Sequence, residues 1–143
     1  MIHFCVQRDH LHLMIEAASA ATLSRGMQGL SIRIARRVNK VTGRKGGVFV
    51  DRFHARILRT PREVRYCLRY LLNNTRRHRR RESFHARWVD PCSSARYFDG
   101  WRGERWRPPD EPWPVSRPRT WLVRIGWRRH GLLALDERPR PGG

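Results

Sequence analysis

Lysine is almost absent from this chain. Of 31 basic side chains in 143 residues, only Lys40 and Lys45 are lysines, and the 12 acidic residues leave a formal net charge of +19. Cysteine is scarce too. Cys5, Cys67 and Cys92 are far apart, odd in number and form no CxxC pair, which argues against a disulfide framework or a structural zinc site. No apolar run approaches the length of a bilayer span, and the opening MIHFCVQRDHLHLM is broken by His, Gln, Arg and Asp, so it is no signal-peptide core. The expected location is the cytoplasm, with no membrane partner. The glycine-rich GRKGG at 43–47 lacks the GK[ST] of a P-loop, and no internal repeat is present.

What is abundant is arginine. A charge of this size opposes compact folding unless something anionic offsets it, and nucleic acid is the first candidate partner, ahead of an anionic membrane surface. Arginine grips phosphate with two donors and stacks on bases; a GC-rich genome, which favours arginine codons, is a compatible second source of the bias. The length suits one domain with a modest core.

Residues 2–7 (IHFCVQ) and 11–17 (LHLMIEA) read as two strands joined as a hairpin through Arg8, Asp9 and His10. Residues 22–41 read as a long helix, with Leu23, Met27, Leu30, Ile34, Val38 and Val41 forming one apolar stripe and Gly43 as C-cap. Arg33, Arg36, Arg37 and Lys40 fall largely off that stripe, as a phosphate-tracking face or a merely solvated one. Arg44 and Lys45 follow in the loop. Residues 48–51 and 54–59 look like short strands. Thr60-Pro61-Arg62-Glu63 is a helix start, with Thr60 as N-cap, Pro61 in the first turn and Glu63 completing a capping box. This helix is expected to run to about Asn74 and to bury Val64, Leu68 and Leu71 or Leu72. Tyr66, Tyr70 and Asn74, four apart, share another of its faces. The basic block at 75–87, with Arg76 and Arg77, reads as solvated. The proline-rich 102–119 reads as a linker and 120–135 as a docking helix.

His10-Leu11-His12-Leu13 carries the first chemistry. On a strand, residues two apart point to one side, so His10 and His12 face one way and offer half of a divalent metal site. Leu11 and Leu13 then face the other way, into the core. Tyr70 is either a buried aromatic or a nucleophile toward phosphorus. Its phenol, with an ordinary pKa near 10, needs a metal that polarises the phosphate. Asn74, one turn on, can offer a carbonyl oxygen to the same ion. A His-x-His strand facing a Tyr-x-x-x-Asn helix is a joint pattern, far rarer by chance than either half.

Taken together, HFCVQRDHLHLMIEA, RGMQGLSIRIARRVNK, GGVFVDRFHARIL and RYLLNNTRRH resemble the REP-associated tyrosine transposases of the HUH single-tyrosine superfamily over roughly residues 2–80. The resemblance implies that His10, His12 and Asn74 bind Mg²⁺ or Mn²⁺, that Tyr70 attacks the scissile phosphate and keeps the DNA 5′ end, and that Arg33, Arg36, Arg37, Lys40, Arg44, Lys45, Arg76 and Arg77 bind DNA. The partner would be single-stranded or hairpin DNA. Related chains often read Y-x-x-x-N-P, whereas Thr75 follows Asn74 here. Acidic residues are scarce in the matched region, which disfavours carboxylate-based two-metal nuclease chemistry.

The implied fold is α+β, a small antiparallel sheet with packed helices like the ferredoxin-type core of HUH nucleases, over residues 1–87. Family members carry a strand and a helix before the histidine-bearing pair, and this chain starts inside the pair, so a truncated core is expected, with a homodimer as one way to cover the exposed edge. Residues 88–143 read as a C-terminal extension. Its Trp101, Trp106, Trp113, Trp121 and Trp127 either stack on unpaired bases or pack the extension onto the domain. The rival functions are a non-catalytic basic nucleic-acid-binding protein and an inactive transposase fragment.

Overall fold

A computed structural model describes residues 1–78, 84–85, 87–103 and 109–139, with 77 and 78 known by their backbone only. The fold is α+β. Among the described residues there is one two-stranded antiparallel sheet, with four α-helices and two 3-10 turns. The chain divides into two compact units, Met1–Glu16 with Leu58–Gly143, and Ala17–Ile57. This division cuts across the boundary expected at 87 and 88.

In the first unit, β1 (His3–Val6) pairs with β2 (Leu11–Met14), setting His3 opposite Met14 and Cys5 opposite His12. The turn closes with Gln7 N–H donating to the His10 carbonyl at 2.9 Å. His10 therefore sits in the turn, one residue before the strand that was expected to hold it. Opposed residues in an antiparallel pair share a face, so His3, Cys5, His12 and Met14 lie together, and Phe4, Val6, Leu11 and Leu13 lie on the other side. Burial reverses the expected polarity of this hairpin. His3, Cys5 and Met14 are buried, whereas Leu11 and Leu13 are only half-buried. The histidine face, not the leucine face, meets the core.

Helix α2 (Pro61–Leu72) forms as its capping box dictates. The Thr60 hydroxyl accepts from Glu63 N–H at 3.2 Å, and a Glu63 carboxylate oxygen accepts from Thr60 N–H at 3.0 Å. Val64, Leu68, Leu71 and Leu72 are its buried stripe. The helix stops before the expected end at Asn74: Asn73 leaves helical geometry at φ −107° and ψ 17° while its backbone N–H still donates to the Arg69 carbonyl, and its side-chain amide donates to the carbonyls of Ala134 and Glu137. Asn73 becomes the C-cap, and α3 (Asn74–His78) follows as a separate turn and a half.

The extension supplies much of the core. Ala95, Phe98, Trp101, Trp127 and Leu133 pack with Cys5, Met14, Val64, Leu68, Leu71 and Leu72. Trp127 stacks on Phe98 with ring centroids 5.5 Å apart, and a Cβ at Gly100 would collide with both rings. Packing is thus the role of Trp101 and Trp127, while Trp121 is half exposed and Trp106 lies outside the described residues. The segment 109–120 is no free linker either. Val115 is buried, Ser116 N–H donates to the Met1 carbonyl at 2.9 Å, and Glu16 accepts from the N–H groups of Arg119 and Thr120. Those donors, with the Thr120 hydroxyl, hold the Glu16 carboxyl below its ordinary pKa against the opposing pull of burial. The docking helix expected over 120–135 is cut to α4 (Trp121–Arg124) and a 3-10 turn (Gly126–His130). Gly126 lies under the Trp121 ring and Gly131 takes φ 85°, so two glycines break the helical pattern.

The second unit is built on α1 (Ala20–Thr42). Ser19 caps its start by accepting from Thr22 N–H, and Gly43 at φ 68° ends it. None of its residues is buried. Asn39 Nδ2 donates to the Gly46 carbonyl at 2.9 Å and folds the loop back on the helix. The strands expected at 48–51 and 54–59 do not form, and Val50 is 98% exposed. An extended segment without a neighbour leaves its backbone donors and acceptors to water. No helix among the described residues is long and apolar enough to cross a membrane.

Candidate active site

The hairpin turn and α2 bring three of the four expected site residues into line. His10 Nε2 lies 3.0 Å from His12 Nε2, and the Tyr70 hydroxyl lies 3.4 Å from the same His12 nitrogen. The ring centroids are 4.6 Å apart for His10 and His12 and 5.0 Å for His12 and Tyr70, both nearly perpendicular. The sequence reason is simple. β2 places His12 on the core-facing side, and Tyr70 projects from α2 between its buried stripe and solvent.

One residue of this row escaped sequence reasoning. Asp9 Oδ1 lies 2.6 Å from His10 Nδ1, and this hydrogen bond is the main reason its carboxyl sits below the ordinary range. With Nδ1–H donated to Asp9, the lone pair of His10 Nε2 faces His12 Nε2. The available signal was an acidic residue directly before the first histidine.

Two imidazole nitrogens directed at each other across 3.0 Å require something between their lone pairs, either a proton or a cation. Asn74 carries an unmet hydrogen-bonding demand of its own. It is fully buried, and among the described residues neither its Oδ1 nor its Nδ2 has a hydrogen-bond partner. A buried orphan amide is costly and calls for a ligand, water or ion. Among the described residues no group of three or more His, Cys, Asp or Glu side chains is placed to hold a metal. A divalent ion here would draw on the two imidazoles of His10 and His12, and no hydrogen bond among the described residues joins the Asn74 amide to them. Two imidazoles suit part of a divalent ion's shell, with the remaining positions left to other oxygen donors.

The wall behind the histidines is polar and closed. His3 Nδ1 meets the Ser94 hydroxyl at 3.1 Å, and burial lowers the His3 pKa to about 4. Gln7 Nε2 donates to Cys5 Sγ at 2.8 Å, and burial pushes the Cys5 thiol up to about 11, so it is an inert thiol rather than a nucleophile. Asp90 accepts from the Thr75 hydroxyl and from Cys92 N–H, tying α3 to the start of the extension.

The basic residues divide. Arg33, Arg36, Arg37 and Lys40 on α1, and Arg44 and Lys45 after it, are all exposed. Arg76 is not. It is 8% exposed, donates to the carbonyls of Trp88 at 2.9 Å and His85 at 3.4 Å, and lies over the rings of Phe84 and Trp88. It is built into the fold and is not presented to a ligand. The Arg77 side chain lies outside the described residues. No protein-family model, no curated protein and no solved structure matches the chain.

Proposed function

We propose that the protein is a transposase that cuts and rejoins single-stranded DNA at hairpin-forming repeats through a covalent 5′-phosphotyrosine. The observation that carries this reading is the row His10–His12–Tyr70, with contacts of 3.0 and 3.4 Å ending on a phenol hydroxyl. The hairpin and α2 would then be part of a ferredoxin-like HUH core.

His10, His12 and Asn74 would hold Mg²⁺ or Mn²⁺, and a bound ion supplies charge that polarises the scissile phosphate. The chain's own residues do the rest. Tyr70 attacks phosphorus through its hydroxyl oxygen. The new bond joins the tyrosine to the 5′ phosphate, the bond to the 3′ oxygen breaks, and that oxygen leaves as a 3′ hydroxyl, with the proton lost from the phenol balancing the one gained. Rejoining is the same displacement run backward by an acceptor 3′ hydroxyl. Asp9 keeps His10 in the tautomer whose Nε2 is free to coordinate. The exposed arginines of α1 follow the phosphate backbone, so affinity falls steeply with salt.

Incubation of the protein with a labelled hairpin oligonucleotide and Mn²⁺ tests this directly. A covalent protein–DNA adduct is expected, and Tyr70→Phe removes it without weakening binding. Tight, salt-sensitive binding with no adduct under any metal would overturn the reaction and leave a basic DNA-binding protein.

A further inference from the structure

A second cluster of cationic groups lies on α2, in the turn before Tyr70. Arg62, Tyr66 and Arg69 fall on one stripe of the helix with Arg65 beside them, and the 3-10 turn ending at His130 and the segment reaching Glu137 close a cleft of about 400 Å³ over them. Its donors are held in place. Arg65, buried to 8% exposure, donates to the carbonyls of Gly131 and Leu132 and to both oxygens of Glu137. Arg69 reaches Glu137 through one terminal nitrogen at 3.3 Å. The Tyr66 ring has the guanidiniums of Arg62 and Arg69 over it at 5.4 and 5.0 Å, and Arg62 Nε donates to its hydroxyl at 3.0 Å.

The charges do not balance. Three guanidiniums and His130 line the cleft with one carboxylate. The hydrogen bonds do not balance either, since Arg69 Nε is buried and, among the described residues, has no partner. An open cleft with surplus positive charge and an unmatched N–H donor, lined by exposed Arg62, Tyr66 and His130 as well as by buried Arg65, is complementary to a phosphate oxygen, which takes charge and hydrogen bond together. Glu137 does not fill that role, because it is already shared by Arg65 and Arg69.

We infer that this cleft binds a phosphodiester of the single-stranded DNA that reaches Tyr70. Tyr66 and Tyr70 are one turn apart, about 6 Å along the helix axis, so a strand lying against α2 would pass both places. The inference takes from the proposed function only that DNA is the partner, and it needs no cleavage.

The test measures binding of a fluorescent hairpin oligonucleotide to the full chain across a range of NaCl concentrations. Arg62→Ala and Arg69→Gln are each expected to make the slope of log K against log salt less negative by about 0.7, whereas Arg62→Lys keeps the wild-type slope. Arg62 is exposed, so its variant folds even where Arg69→Gln does not. In the NMR spectrum the Arg69 Nε–Hε resonance shifts when oligonucleotide is added. An equal shift with inorganic phosphate alone, undisturbed by later oligonucleotide, would overturn the strand as ligand. Wild-type slope and affinity in both Arg62→Ala and Arg69→Gln would overturn the site. A wild-type protein that forms no adduct, yet loses salt slope in these variants, supports the cleft while removing the transposase reading.

Discussion

The two units of this chain obtain their order from different sources. Helix α1 has a well-formed N-cap, a left-handed glycine at its end and 23 residues of regular helix, yet buries none of them. Helix α2, about half as long, buries five. The first has only its own caps and period to hold it, and the second has its capping box together with the packing of its buried stripe. Isolated helices draw little stability from propensity alone, so damage to α1 stays local and damage around α2 is shared by the whole first unit. The sharpest break of this comparison is Trp127→Ala. The indole is 1% exposed and stacked on Phe98, and truncating a buried tryptophan costs roughly 3–5 kcal/mol. Denaturant unfolding followed by tryptophan fluorescence measures it. A loss under about 1 kcal/mol would mean that the extension is an appendage rather than part of the core.

The next effect is a pH dependence confined to the first unit. His3 titrates near 6.5 when unfolded and at about 4 in the fold, because burial disfavours its charged form. Between those values the unfolded chain holds a proton that the folded chain lacks, so stability rises with pH through this window and falls on acidification. The full shift corresponds to about 3 kcal/mol. His3→Gln, which can keep a hydrogen bond to Ser94, is expected to flatten the curve between pH 6.5 and 4, and an unchanged curve would assign the acid sensitivity elsewhere. Glu137 acts at lower pH and with the same sign. Burial raises its pKa, but the hydrogen bonds from Arg65, Ala134 N–H and Arg69 outweigh it and hold the carboxyl below 4.5. Its contribution is therefore present above that value and lost as pH falls through the lower folded one. Glu137→Gln should cost roughly 2 kcal/mol at neutral pH, and should make the acid limb below pH 4.5 shallower, leaving the part that Glu16 and Asp9 contribute.

The same contrast explains what was legible in the sequence. Caps and periods act within a few residues, so Thr60 and Glu63 for α2, and the apolar stripe and Gly43 for α1, set both long helices to within two residues of their observed starts and ends, while the Ser19 cap escaped sequence reasoning. The hairpin was legible, but not which of its faces meets the core, because HLHLM alternates equally well either way and only the packing of α2 against Cys5 and Met14 decides. The strands expected at 48–51 and 54–59 had β-branched and aromatic residues but no neighbour to pair with. The helix expected over 120–135 had the right apolar pattern and two glycines inside it, and the glycines won. At the site, His10, His12 and Tyr70 were marked by spacing, and the structure brings them together. Arg76 was one arginine among many in the sequence. Its burial under Phe84 and Trp88 depends on contacts 8 to 12 residues away that no local signal encodes.

The smallest effect is the one that isolates α1. Ser19 is its N-cap, with the hydroxyl accepting from Thr22 N–H at 3.1 Å, and losing such a cap costs about 1 kcal/mol of helix stability. Because the helix carries no buried residue, that cost is expected to fall on α1 itself. Ser19→Ala should therefore speed hydrogen exchange of the first-turn amides of α1 about fivefold, leaving the unfolding midpoint reported by Trp127 unchanged. Ile34→Ala, on the apolar stripe of α1, should likewise move that midpoint by less than about 0.5 kcal/mol. A midpoint shift in either variant comparable to that of a core truncation would mean that α1 is stabilised by burial after all, and the distinction between a locally specified helix and a packed one would fall.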